Sequence, residues 1–146
     1  MKSFAFIGTV FAFVFMANLA YAKTIEIEML NKDAAGRKMV YSQEMVHIDS
    51  GDTIKWLPTS KGHNVEIVAA PEGLDIPKKS KNGKEVSIEF TVPGIYYYWC
   101  TPHKGMGMIG LVVVGHDTSN KDAIAKAKAL GKSKKKLKAL LAELHH

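Results

Sequence analysis

Apolar and polar residues alternate in short runs between residues 24 and 114. A period of two over such short runs is typical of half-buried β-strands, and Asp, Gly and Pro separate the runs here. The alternation predicts strands near residues 24–29, 46–48, 53–56, 63–68, 86–90, 95–99 and 109–114. About seven short strands at close spacing indicate an all-β protein, either a sandwich or a barrel.

Two connections between these strands differ in character. The sequence Asp-Ser-Gly-Asp at residues 49–52 has turn chemistry, so the strands on either side of it are predicted to form a hairpin. Residues 69–84 are long, irregular and basic, with Pro71, Gly73 and Pro77. A connection of this length in a compact domain is usually functional or carries short local structure.

The pattern changes to a helical period after residue 118. Ser119 and Ser133 are placed to cap two helices, the first of which would cover residues 123–130. The second carries one leucine stripe at helical spacing, made of Leu137, Leu140, Leu141 and Leu144. We expect two short helices that pack on the sandwich and leave their lysines in solvent, and a basic docking surface is the alternative.

The N-terminus resembles a targeting segment. Lys2 precedes an apolar run at residues 4–16, and Ala-Tyr-Ala follows at residues 20–22. This arrangement predicts a secretory signal peptide, whereas the run is short for a retained membrane span of about 20 residues. The expected organisation is therefore a cleaved signal peptide at 1–22, a β-sandwich domain at 23–114 and a C-terminal extension at 115–146.

The formal net charge of +6 is unevenly distributed. Residues 23–114 contain eleven basic and eleven acidic side chains, whereas residues 115–146 contain eight lysines and three acidic side chains. A second, local basic cluster consists of Lys78, Lys79, Lys81 and Lys84. Zinc-finger spacing and a basic, aromatic strand pattern are both absent from the sequence, so we expect no nucleic-acid partner.

The candidate chemistry lies in residues 100–108, Cys-Thr-Pro-His-Lys-Gly-Met-Gly-Met, between two predicted strands. Cys100 is the only cysteine, so in an exported protein it must pair between chains, react or bind a metal. Thiolate, imidazole and thioether ligands together favour copper. His103 lies close by in sequence, His63 is the best candidate for a ligand from elsewhere, and residue type alone leaves Met106 and Met108 open as the axial ligand.

These residues resemble a known family. Gly-His-Asn at residues 62–64, the motif at residues 100–108 and the helical tail are similar to the pseudoazurins, within the cupredoxins. The resemblance implies a Greek-key β-sandwich of seven to eight strands with two short C-terminal α-helices. It also implies one type 1 copper ion bound by His63, Cys100, His103 and Met108. Trp99 and Lys104 depart from the pattern of that family.

The resemblance further implies a function and a location. We expect a periplasmic, monomeric electron carrier rather than an enzyme, without a membrane span in its mature form. The expected partners are redox proteins such as nitrite reductase, nitrous-oxide reductase or a c-type cytochrome. They would dock at an apolar patch around His103, formed by Pro58, Pro102 and Met106 and bordered by lysines. In that family the residue at Asn64 links the two ligand segments, and Thr101 is its expected partner here.

Two other classes of function would also use these residue types. A hydrolase would use Cys100 as nucleophile and a histidine as base, but no oxyanion-hole motif is evident and the methionines would have no role. A periplasmic copper-binding or delivery protein is the second alternative, although delivery usually uses exchangeable sites rich in Met or Cys. Thiol titration of the metal-loaded protein distinguishes a hydrolase from an electron carrier, because the Cys100 thiol is masked in a carrier and reactive in an enzyme.

Overall fold

The computed structural model describes residues 21–74 and 78–144. Most of the expected signal peptide, residues 1–20, lies outside these ranges, as do His145 and His146. The described chain forms eight strands and two helices, which confirms the predicted all-β sandwich with a helical C-terminus. The elements are β1 (Thr24–Lys32), β2 (Lys38–Tyr41), β3 (Met45–Ile48), β4 (Asp52–Leu57), β5 (Glu66–Ala69), β6 (Val86–Phe90), β7 (Gly94–Trp99), β8 (Ile109–Val114), α1 (Lys121–Ala125) and α2 (Lys132–Glu143).

The strands form two sheets of four. One sheet has the order β2-β1-β4-β6 and the other has the order β3-β8-β7-β5. The pairs β1–β4 and β3–β8 are parallel, and the remaining pairs are antiparallel. Two parallel neighbouring strands cannot be joined by a tight turn. Between the two strands of each parallel pair, the chain therefore passes through the other sheet.

The predicted hairpin between β3 and β4 is wrong. β3 pairs with β8, whereas β4 pairs with β1 and β6, so the two strands belong to different sheets. The turn between them passes from one sheet to the other, and its end is held by the Asp52 carboxylate. This carboxylate accepts hydrogen bonds from the backbone N–H groups of Lys23 at 2.7 Å and Asp49 at 3.0 Å. Turn residues indicate that the chain reverses, and they do not specify which strand lies alongside.

Two apolar cores cover both faces of the second sheet. The main core lies between the sheets and includes Trp56, Phe90, Tyr96 and Tyr98. A second core lies between the outer face of β7 and β8 and the helices, and it joins Ile95, Tyr97, Trp99, Leu111 and Val113 to Ile124, Leu137, Leu140 and Leu141. The leucine stripe of the tail therefore packs on the sandwich as predicted, except that Leu144 lies at its edge. β7 and β8 are consequently buried along their whole length.

The helices begin at different residues from those predicted. Asn120, rather than Ser119, precedes α1, and its side chain bonds to the backbone N–H and C=O of Ile95 at 2.9 and 2.8 Å. α2 follows Gly131, whose φ of 52° suits glycine, and Ser133 lies inside the helix instead of capping it. Within residues 21–74 and 78–144, neither helix is long and apolar enough to cross a membrane.

Candidate metal centre

Three predicted ligands converge at one end of the sandwich. The Nδ1 atoms of His63 and His103 lie 3.1 Å apart, and the Cys100 sulfur lies 3.6 Å and 3.4 Å from them. In the described part of the chain, this trio is the one group of three or more His, Cys, Asp or Glu side chains that converges closely enough to bind a metal ion. The tertiary structure thus joins His63, 37 positions away in sequence, to the loop that follows β7.

The spacing of the three atoms fits a metal ion. A point about 2 Å from all three atoms exists inside the triangle they form, and metal–ligand bonds in proteins are about 2.0–2.3 Å for imidazole nitrogen and thiolate sulfur. Two imidazoles and one thiolate with a weak axial thioether are the donor set of type 1 copper. The chemistry of the donors and their geometry therefore both fit copper.

The loop at residues 100–108 owes its shape to short backbone hydrogen bonds. The N–H of His103 donates to the carbonyl of Cys100 at 3.0 Å, and the N–H of Met106 donates to the carbonyl of His103 at 2.9 Å. The N–H of Cys100 donates to the carbonyl of Met108 at 2.9 Å and closes the loop. Pro102 lies in the short 3₁₀ turn at Thr101–His103, where its fixed φ is compatible with the backbone. The loop thereby holds Cys100 and His103 on the same side.

The two methionines of the loop have different environments. Met108 is fully buried and belongs to the main core together with Cys100. Met106 is 49% exposed. Burial beside the thiol favours Met108 as the axial ligand and leaves Met106 available for a surface role.

His63 is oriented by a residue that the sequence did not indicate. Its Nε2 lies 2.8 Å from Oδ1 of Asn31, near the end of β1. A carbonyl oxygen only accepts, so Nε2 carries the hydrogen and Nδ1 of a neutral ring has a free lone pair facing Cys100 and His103. Asn31 is an exposed polar residue at the end of a strand, and no local signal links it to a histidine 32 positions away.

The predicted link between Asn64 and Thr101 is confirmed. Oδ1 of Asn64 accepts the backbone N–H of Thr101 at 2.8 Å, and Nδ2 donates to the Thr101 hydroxyl at 3.0 Å. These two bonds join the segment after His63 to the residue after Cys100. They fix the distance between the two parts of the site, one in the segment before β5 and the other in the loop after β7.

A carboxylate extends this link to Trp99. One oxygen of Glu66 accepts the Thr101 hydroxyl at 2.6 Å and the Trp99 indole N–H at 2.7 Å. Burial alone would raise the pKa of Glu66, but these two hydrogen bonds and the nearby charges of Lys79 and Lys104 hold it below the ordinary value. The Lys104 ammonium lies 5.2 Å from the centre of the Trp99 ring, a cation–π distance. The two residues that depart from the family pattern therefore contact each other.

Burial adjusts the protonation of all three converging groups. It lowers the pKa of His63, which the charge of His103 lowers further, and it lowers the pKa of His103 itself. It raises the pKa of the Cys100 thiol, while the backbone N–H groups of Asn64 and His103 act in the opposite direction. The imidazoles are consequently neutral at neutral pH, as metal ligands must be, and the thiol loses its proton when a metal ion replaces it.

The site is enclosed on one side and close to the surface on the other. His63 and Cys100 are fully buried, whereas His103 is partly exposed, as predicted. Pro102 and Met106 are exposed on the same loop. The exposed lysines include Lys61, Lys78, Lys79, Lys81 and Lys84. The described surface thus offers an exposed apolar loop and exposed positive charges.

Comparison with known proteins agrees with this geometry. Residues 27–115 match the copper-binding proteins of the plastocyanin/azurin family. The chain is 40% identical to a pseudoazurin from Paracoccus pantotrophus over 136 residues, which cover 92% of each sequence. The crystal structure of pseudoazurin from Methylobacterium extorquens AM1 is 38% identical with a TM-score of 0.76, covering 83% of this chain and 98% of that one. Pseudoazurin from Hyphomicrobium denitrificans is 42% identical with a TM-score of 0.76, covering 82% and 97%.

Proposed function

Because the chain belongs to the pseudoazurins, within the plastocyanin/azurin family of blue copper electron carriers, we propose that it is a periplasmic donor of electrons to a reductase. The proposed ligands of its single type 1 copper are His63, Cys100 and His103, with Met108 in the axial position. The observation that carries this assignment is the convergence of the Cys100 sulfur and the two Nδ1 atoms within 3.6 Å of one another.

Copper bound at this site supplies one-electron chemistry, since it cycles between Cu(II) and Cu(I). The protein supplies a fixed arrangement of ligands. Asn31 orients the His63 ring, and Asn64 holds the two ligand segments together through Thr101. A site that is held by the scaffold changes little between redox states, which favours fast electron transfer. The same enclosure of His63 and Cys100 argues against copper delivery, which needs a readily exchangeable site.

We assign the docking surface for redox partners to the exposed part of the ligand loop. His103 is partly exposed there, and Pro102 and Met106 provide the apolar contact. Lys61 and the exposed cluster of Lys78, Lys79, Lys81 and Lys84 are suited to an acidic partner. Such charges accelerate encounter more than they strengthen the complex. The proposed partners are nitrite reductase, nitrous-oxide reductase and c-type cytochromes. The proposed form of the protein is a monomer in the periplasm.

Copper titration tests the assignment directly. Protein comprising residues 23–146 should bind one Cu(II) and develop an intense visible band from thiolate-to-copper charge transfer. Cys100→Ser should remove the band, and His47→Gln should keep it, because His47 is an exposed histidine on β3 that contributes nothing to the site. A Cys100→Ser variant that remained blue would refute the ligand assignment, and rapid loss of copper to a chelator would favour delivery.

A further inference from the structure

The start of α2 contacts the ligand loop directly. The backbone N–H of Lys132 donates to the carbonyl of Gly105 at 3.0 Å, and the hydroxyl of Ser133 donates to the carbonyl of Lys104. These two carbonyls belong to the residues that immediately follow His103. The first N–H groups of a helix have no acceptor inside the helix, so they are free to bind an outside carbonyl. The first turn of α2 therefore binds the backbone beside a proposed copper ligand.

The fit between the helix and the loop is close. A Cβ atom added to Gly131 would lie 2.4 Å from the Gly105 carbonyl oxygen, so a side chain at residue 131 would push against the loop. Gly107 is buried, and a Cβ atom there would meet the side chains of Lys132 and Lys136 at 3.6 Å. The loop and the first turn of the helix are thus in direct contact, and the contact is tightest at Gly131.

The helix itself is held firmly on the sandwich. Ser133 is fully buried, although its residue type would ordinarily suit a helix cap at the surface. Leu137, Leu140 and Leu141 are buried in the second core, and Lys136 forms an ion pair with Glu44 in the connection between β2 and β3. Because α2 is anchored at several points on the sandwich, the groups at its start are positioned independently of the loop that they contact.

We propose that the first turn of α2 is a clamp on the ligand loop and that Ser133 is a positioning residue for His103. The inference rests on the proposed copper ligands for its functional meaning. The backbone N–H of His103 donates to the carbonyl of Cys100, and α2 binds the carbonyls of the next two residues, Lys104 and Gly105. The C-terminal extension is then a structural part of the copper site, and the ring of His103 keeps its orientation before copper binds and in both redox states.

The clamp is tested first in the metal-free protein. Hydrogen exchange measured by NMR at the amides of Met106 and Met108 reports on the loop, since both donate to the His103 carbonyl. Ser133→Ala should accelerate this exchange about fivefold, the size expected for the loss of one hydrogen bond. Ser119→Ala, an exposed serine on the same extension, should not change it. Leu140→Ala weakens the packing of α2 without touching the loop, and should change exchange at these amides less than Ser133→Ala does.

A second variant covers the case in which Ser133→Ala does not fold. Gly131→Ala should displace the loop through the Gly105 carbonyl and accelerate the same exchange more strongly. In copper-loaded protein, both variants should alter the copper hyperfine splitting in EPR and the reduction potential, and Ser119→Ala should alter neither. Folded Ser133→Ala and Gly131→Ala proteins with wild-type exchange would overturn the clamp.

These experiments distinguish a failure of the proposed clamp from a failure of the proposed copper ligands. A loosened loop with unchanged EPR and potential would overturn the positioning role of Ser133. A wild-type protein without a blue band would refute the proposed ligands, whereas the exchange rates of the metal-free protein would still decide whether α2 clamps the loop. The far-ultraviolet circular dichroism of each variant verifies that it is folded.

Discussion

Oδ1 of Asn31 accepts a hydrogen bond from Nε2 of His63 at 2.8 Å and joins the end of β1 to the metal centre. The bond selects the tautomer of His63, because the hydrogen on Nε2 leaves the Nδ1 lone pair directed at Cys100 and His103. It also limits rotation of the ring. An exposed asparagine in a strand is therefore part of the metal centre, although it supplies none of the proposed ligand atoms.

Removal of this hydrogen bond should weaken copper binding. Asn31→Ala should lower the affinity for Cu(II) by about 10- to 100-fold, the range typical for residues that orient metal ligands, while the blue band persists. Competition with a chelator of known affinity measures the change. Asn82→Ala, an exposed asparagine in the loop before β6, is the matched control and should bind copper as the wild type does. Equal affinities of the wild type and Asn31→Ala would mean that the other contacts orient His63 sufficiently.

The axial ligand can be identified by a pair of matched substitutions. Met108→Gln should retain copper and lower the reduction potential, because an amide oxygen stabilises Cu(II) better than a thioether does. Met106→Gln should have a much smaller effect, since Met106 is 49% exposed whereas Met108 is buried beside Cys100. Voltammetry of the two variants gives the ranking. A larger shift for Met106→Gln would assign the axial position to Met106.

Electron transfer to an acidic partner should depend on salt. The Debye length falls from about 10 Å at 0.1 M to about 3 Å at 1 M, so steering by exposed lysines weakens as salt rises. Lys61→Glu should slow the second-order rate measured by stopped flow and leave the copper spectrum unchanged. Lys121→Glu provides the control, because Lys121 starts α1 near Ile95, at the other end of β7 from Cys100. A rate that neither salt nor Lys61→Glu changes would exclude charge steering at this surface.

The Asp52 carboxylate should make stability depend on pH. The N–H of Lys23 lowers its pKa, burial opposes that shift, and the N–H of Asp49 and the charge of Lys23 add to the lowering. A carboxyl group with a lowered pKa in the folded state stabilises the fold above its unfolded pKa of about 3.9, and the stabilisation is lost as the pH falls through the folded value. Asp52→Asn should therefore lower Tm by about 4 °C at pH 7 and by much less in strong acid.

The same carboxylate should bind the new N-terminus that the predicted cleavage after Ala22 would produce. In a chain that begins at Lys23, the nitrogen bonded to Asp52 at 2.7 Å would be a charged terminal amino group rather than an amide. Asp52→Asn should then lower Tm more in the chain that begins at Lys23 than in a chain that retains residues 21 and 22. Equal effects in the two chains would show that the new amino group is not bound by Asp52.

Several features could be predicted from the sequence because they depend on neighbouring residues. Alternation indicated most of the strands, and the leucine spacing indicated the buried face of α2. Cys100, His103 and Met108 lie within nine residues, so a short loop brings them together whatever the rest of the fold does. The motif and its resemblance to the pseudoazurins then added His63 and the link between Asn64 and Thr101.

Other features were decided by the tertiary structure alone. Alternation has the same period whichever strand lies alongside, so it could not assign β3 and β4 to different sheets. The hydrogen bond from His63 to Asn31 and the contact of Ser133 with the ligand loop each span about 30 positions in sequence. Side chains at such separations meet only because the two sheets stack and α2 packs across β8. Three of the four proposed ligands are therefore local in origin, whereas His63 and the residues that hold the site in place are brought there by long-range packing.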